Sequence, residues 1–214
     1  MLNSQTAESV IDHALSLGAD FAELFVEKNE TNIVSTLSDE VQSVESGINF
    51  GIGLRLVYGS KVLYGYTNKT DQDELLRIAS VLAAKDLRDP VSTLTSFNFN
   101  QIPDIHPASK ILSVDAEIES KVAYLMAADR AGRAAGEQIS QTRGSCMQRE
   151  QHVEIFNSEG LYTKDKRNYI RSSLTAIAAD GNEQATGSWN DGGLLGWEIE
   201  AGLDPKHTGE EAAR

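Results

Sequence analysis

Gly47-Ile48-Asn49-Phe50-Gly51-Ile52-Gly53-Leu54-Arg55-Leu56-Val57-Tyr58-Gly59-Ser60-Lys61-Val62-Leu63-Tyr64-Gly65-Tyr66 reads as strand, turn and strand. The alternation predicts strands over Phe50 to Tyr58 and Lys61 to Thr67. Gly59-Ser60 joins them as a two-residue hairpin turn, because glycine accepts the positive φ such turns need. The remaining glycines lie inside the strand pattern. There a missing side chain marks the close approach of another backbone or a bulky neighbour.

Upstream, Ala7, Val10, Ile11, Ala14 and Leu15 fall at helical spacing, and Gly18 follows as a left-handed C-cap, so a first helix is expected over about 5–17. Phe21 to Lys28 alternates, with Phe21 and Phe25 on one side and Ala22, Leu24 and Val26 on the other. Apolar residues on both faces predict a strand covered on both, by a helix on one of them. Further strands are expected at Thr31 to Leu37 and Val41 to Glu45, joined by Ser38-Asp39-Glu40. Together these form an antiparallel meander.

Downstream, Asp71 to Leu87 is helical, with Leu75, Leu76, Ile78, Ala79 and Leu82 on one face and acids in the first turn where the helix dipole favours them. Asp89 to Ser109 is rich in proline and polar residues and reads as an extended connection. Ala116 to Ala135 is helical again. A second strand block follows: Gln138 to Gln148, His152 to Asn157, Leu161 to Lys164, Tyr169 to Ala179 and Glu183 to Trp189. Turns fall at Asn157-Ser158-Glu159-Gly160 and Asp180-Gly181. The order echoes the first block, as an internal duplication would and as two strand blocks can by chance.

The expected fold is therefore α+β, antiparallel meanders packed against long helices in two similar lobes. Residues 1–88 form a helix plus meander lobe, 89–109 a connection, 110–200 a second helix plus strand lobe, and 201–214 the start of a further helix. That last start rests on Thr208-Gly209-Glu210-Glu211, which has the spacing of a capping box. One turn cannot nucleate usefully, so the expectation is the N-terminal piece of a longer protein.

Composition narrows the function classes. Among 214 residues, 19 basic against 32 acidic give a net charge of −13, a field that repels nucleic acid. The densest basic segment, Lys164 to Arg171, reads as a charged hairpin rim or a small cationic face. No run is long and apolar enough to span a membrane, and the N-terminus has no signal core, so the expected location is cytoplasmic and no membrane partner is expected. A single cysteine, Cys146, excludes intrachain disulfides and reads as structural. His13, His106, His152 and His207 lie far apart with no helical partner at i+4, and no metal ligand set is read from them. Trp189 and Trp197 flank a glycine loop, either as a clamp for an extended ligand or as anchors on the core. No catalytic constellation stands out.

Gly18-Ala19-Asp20-Phe21-Ala22-Glu23, Gly51-Ile52-Gly53-Leu54-Arg55 and Tyr64-Gly65-Tyr66-Thr67-Asn68, in that order, resemble the N-terminal domain of the TldD/PmbA family, also called modulators of DNA gyrase. The similarity is nearer the TldD branch, and Ala116 to Gly136 resembles that family's long helix. The resemblance implies the substrate-cleft and assembly domain of a zinc metallopeptidase that cleaves peptides. It implies as partners a C-terminal catalytic domain, a TldE-like or identical subunit, and a peptide substrate. The family's H-E-x-x-x-H motif is not in this sequence, which has no His-Glu pair. The resemblance therefore places zinc in the parent protein and none in this stretch, which is expected to be inert alone. Gly51, Gly53, Tyr64, Tyr66, Trp189 and Gly192 are the expected peptide or partner contacts. The competing reading makes all six packing and turn residues, and the rival function is a non-enzymatic protein-interaction module such as a gyrase modulator.

Overall fold

A computed structural model describes residues 1–86, 99–103, 105, 110–112 and 116–214. Among these residues four helices, α1 (Ser4–Ser16), α2 (Gln72–Ala83), α3 (Ile118–Ala134) and α4 (Pro205–Ala212), accompany strands β1 (Phe21–Leu37), β2 (Glu40–Tyr58), β3 (Lys61–Thr67), β4 (Asn100–Ile102), β5 (Ile139–Asn157), β6 (Leu161–Asp180) and β7 (Glu183–Gly193). A 3-10 helix covers Trp197–Gly202. The hydrogen-bonded strand order is β3-β2-β1-β5-β6-β4, with β7 pairing β6. The fold is α+β, an antiparallel sheet packed against helices. One pairing departs from this, β4 running parallel to Leu161–Thr163 of β6.

The chain divides into two units. The first comprises Met1–Asn29, Asn49–His106 and Gln151–Lys166, and the second Glu30–Ile48, Pro107–Glu150 and Arg167–Arg214. Strands that read as separate pieces are continuous. Thr31 to Leu37 extends the strand begun at Phe21, and Val41 to Glu45 runs on into Tyr58. Asn29-Glu30 and Ser46-Gly47 interrupt the apolar alternation in sequence, yet tertiary pairing keeps them extended. The same holds in β5 and β6, so the basic segment Lys164 to Arg171 lies in mid-strand and not on a hairpin rim. The expected connection over 89–109 lies outside the described residues except at 99–103 and 105.

In the first unit α1 begins at Asn3, whose Oδ1 accepts from Gln5 N at 2.8 Å, and closes at Gly18, φ 91°. Its stripe Ala7, Val10, Ile11 and Ala14 is buried with Ala22, Leu24 and Val26 of β1, with Ile52, Leu54, Leu56 and Tyr58 of β2, and with Leu75, Ile78, Ala79 and Leu82 of α2. Both helices serve this one sheet face. Phe21, Glu23, Phe25 and Glu27 face the other way; helices cover one face of β1 as expected, while Phe25 at 39% exposure leaves open a second face that was expected to be covered. Gly65, in the β3 core face opposite Leu54, shows why glycine is required there. A Cβ would lie 2.6 Å from Ile78 Cγ2 and 3.3 Å from Leu82 Cδ1, the seat of α2.

The turns are as the sequence predicts. Gly59, Gly160 and Gly181 have φ of 61°, 83° and 57°, and Asn157 Oδ1 accepts from Glu159 N and Leu161 N.

In the second unit α3 packs on α4, where Gly132 and Gly209 let the backbones touch. Val34, Tyr124, Leu125, Cys146, Ile170 and Trp197 form one core cluster, and Ala128, Leu174, Ala176 and Ala212 another. The expected capping box is not used. Pro205 opens α4 and Asp204 caps it, its Oδ1 accepting from Lys206 N at 2.9 Å. Thr208 instead turns its hydroxyl to Tyr124 Oη at 2.8 Å.

Candidate functional site

On the outward face of the first unit lies a groove of about 760 Å³, whose lining includes Phe25, Glu27, Gly51, Gly53, Tyr66 and Lys69. Its geometry follows from strand alternation. Gly51 and Gly53 alternate with the core residues Ile52 and Leu54 and so point away from the helices. Unlike Gly65, they meet nothing close: a Cβ at either would find only one backbone oxygen, 3.9 Å away. Gly53 lies directly opposite Tyr66 in the β2–β3 register, and Tyr66 is 90% exposed. The register ends at Ile52 opposite Thr67, so Asn49, Phe50 and Gly51 run past the last paired residue of β3 into the groove.

The expected contact residues are thus distributed over both units. Gly51, Gly53 and Tyr66 meet at the groove, and Tyr64, opposite Arg55, shares their outward face at 67% exposure. Trp189 and Gly192 belong to β7 of the second unit. Trp189 Nε1 donates to Asp191 Oδ2 at 2.9 Å and its ring meets His207 edge-on, while the bare Cα of Gly192 admits Ile170 O. β7 runs through Gly193, and Trp197 is buried with Nε1 donating to Ser120 Oγ, so this tryptophan anchors the 3-10 helix to the core.

Sequence reasoning missed the other wall of the groove, Phe25 and Glu27. A signal was present: Phe21, Glu23, Phe25 and Glu27 fall on alternate positions of one strand. On the same face Arg55 Cζ stands 5.2 Å from the Phe21 centroid, and Arg55 Nη2 lies 3.1 Å from Glu23 Oε1. Glu74 beside the groove takes Arg77 through two hydrogen bonds of 2.8 and 3.0 Å, and these hold its carboxyl below the usual range.

The described residues do not fit a zinc site. Among them no three His, Cys, Asp or Glu side chains converge to hold a metal. His13 Nε2 pairs with Ser80 Oγ at 2.8 Å, and His207 lies against Trp189; His106 lies outside the described residues. His152 and Glu154 line a smaller cavity of about 340 Å³, in which Glu154 pairs with Lys164 at 3.3 Å. Burial pushes the Cys146 thiol up to about 12, which suppresses the thiolate that a nucleophile or ligand needs. Lys121, fully buried, donates to Asn32 Oδ1 at 2.8 Å and lies 5.7 Å from the Trp197 ring centroid, and desolvation lowers its pKa.

Residues 112–214 match the PmbA/TldA metallopeptidase central domain, and residues 22–85 match PmbA/TldA metallopeptidase domain 1. The chain is similar to a metalloprotease TldD homolog of Haemophilus influenzae, 21% identical over 196 residues that cover 91% of this chain and 41% of that protein. It therefore spans less than half the length of the curated relative it matches. Among solved structures it is similar to modulator-of-DNA-gyrase proteins of Bacteroides thetaiotaomicron and Thermotoga maritima. The first gives a TM-score of 0.76 at 16% identity, covering 98% of this chain and 48% of that one. The second gives 0.74 at 13%, covering 98% and 46%. TldE from Thermococcus kodakarensis gives 0.68 at 15%, covering 97% and 46%. At these identities the structural likeness shows the fold alone. Among the described residues no helix is long and apolar enough to cross a membrane.

Proposed function

Because this chain belongs to the PmbA/TldA metallopeptidase family, we propose that it lines the substrate cleft and supports subunit assembly in a peptide-cleaving zinc enzyme whose metal site lies outside these residues. The observation that carries this reading is the groove beside Gly51 and Gly53. At Gly51 and Gly53 its lining carries no side chain, and the backbone of Asn49 to Gly51 runs beyond the β3 register. Such an edge offers main-chain hydrogen bonds to any extended peptide with little demand on sequence, as unfolded substrates require.

The test is titration of the chain with a fluorescently labelled, unstructured octapeptide of mixed sequence. Saturable binding that Gly53→Trp abolishes, with the fold retained by circular dichroism, supports the cleft reading. Absence of peptide binding together with tight capture of one folded partner overturns it in favour of a non-enzymatic interaction module, the role suggested by the gyrase-modulator name its structural relatives carry.

A further inference from the structure

Gly53 stands bare between two aromatic residues on the outward face of the first unit. On one side the β2–β3 register sets it directly opposite Tyr66, which is 90% exposed. On the other side runs β1, and the Phe25 carbonyl oxygen lies 3.9 Å from where a Gly53 Cβ would be, with no other atom within 4 Å. Phe25, 39% exposed, lines the groove together with Gly53 and Tyr66. Rings of this size left in water are available to an apolar partner.

Two residues along β2 a comparable place is filled from within the chain. Arg55 lies opposite Tyr64, and its guanidinium stands 5.2 Å from the Phe21 centroid. At Gly53 the chain supplies no such side chain. Neighbouring strands lie about 4.8 Å apart, so a ring seated over Gly53 would stand about that far from the rows of Phe25 and Tyr66, inside the roughly 4.5–7 Å over which aromatic rings pair. Charge selects between a ring and a second arginine. Arg55 is held by a carboxylate, Glu23, at 3.1 Å. The groove's own carboxylates are engaged, Glu74 by two hydrogen bonds from Arg77 and Glu27 by the Gln151 amide. The place over Gly53 therefore suits a flat, uncharged side chain.

We propose that the groove seats an aromatic side chain of an extended peptide over Gly53, between Phe25 and Tyr66. This assignment rests on the cleft reading and names the class of peptide the cleft prefers.

The experiment is titration of the chain with acetyl-Gly-Gly-X-Gly-Gly-amide, in which X is phenylalanine, cyclohexylalanine or alanine. Cyclohexylalanine keeps the bulk and the apolar surface but has no π face. The phenylalanine peptide is expected to bind about tenfold more tightly than the alanine peptide and about threefold more tightly than the cyclohexylalanine peptide. Tyr66→Ala is expected to abolish that preference and Tyr66→Phe to keep it, and at 90% exposure neither change disturbs the core. Gly53→Val, which fills the place from within the chain, is expected to abolish it as well. Equal binding of the phenylalanine and cyclohexylalanine peptides overturns the ring pairing. Equal binding of all three overturns the aromatic assignment while leaving the cleft reading intact, and binding of none overturns both. A phenylalanine preference that survives Tyr66→Ala and Gly53→Val overturns the placement.

Discussion

Gly53 and Tyr66 face one another across the antiparallel β2–β3 pair, yet the tyrosine is 90% exposed and no atom of it comes within 4 Å of the place a Gly53 side chain would occupy. Aromatic residues opposite glycine in a sheet commonly fold over it and recover the lost packing. Here the glycine stays bare, which leaves the groove its floor.

Two glycines in adjacent strands should therefore respond oppositely to the same substitution. Gly65→Val is expected to destabilise by about 2 kcal/mol, because its Cβ would press on Ile78 and Leu82. Gly53→Val meets open space and gains strand propensity, so its stability should stay within about 0.5 kcal/mol of the native chain or exceed it. Paired urea melts measure both, and a loss at Gly53 as large as that at Gly65 would contradict the open floor.

The start of α4 gives a second expectation. Asp204→Ala removes the cap on Lys206 N and should cost about 1 kcal/mol. Thr208→Val should cost a similar amount for a different reason, loss of the buried bond to Tyr124. The two are separable, because only the Thr208 variant alters the alkaline titration of the Tyr124 phenol, which burial pushes up. Ultraviolet titration of the tyrosines reads this directly.

Cys146 should be silent in the native state. Its thiol, pushed up to about 12 by burial, is expected not to react with an aromatic disulfide reagent at about pH 8 until the chain unfolds. Since the folded form favours the neutral thiol, the stability this contributes is present below the ordinary value of 9.0 and is lost as pH rises toward 12. Rapid stoichiometric labelling of folded chain would refute the burial.

Lys121 has the opposite sign. Desolvation lowers its pKa from the ordinary 10.5, so the unfolded chain binds its proton more readily, and stability rises as pH climbs from the folded value to 10.5. Lys121→Met should remove that rise, visible as a flatter difference between native and variant melts across the alkaline range. Lys121→Ala, which also leaves a cavity beside Asn32 and Trp197, is expected to cost about 3 kcal/mol.

Much of the fold was legible in the sequence because local signals and tertiary structure agree. The α1 stripe, the Gly18 cap and the glycine turns at 59, 160 and 181 each answer to one residue whose conformation has few alternatives. Strand continuity was not legible, since Asn29-Glu30 and Ser46-Gly47 interrupt the apolar alternation and long-range pairing holds them extended. The capping box failed because Thr208 found a buried partner in Tyr124, far away in sequence. At the groove the glycines announced an approach, but only coordinates separate Gly65, which a helix meets, from Gly51 and Gly53, which nothing fills.

The division of β1, β2, β5 and β6 between the two units bears on how the chain is made. The first unit is incomplete without Gln151–Lys166, and the second without Arg167–Arg214. A ribosome that has released only the first 150 residues therefore presents a first unit whose core still lacks Phe156 and Tyr162. The second unit waits longest, since Arg167–Arg214 completes it, and the first waits for Gln151–Lys166, so neither closes before the strands that they share in sequence are made.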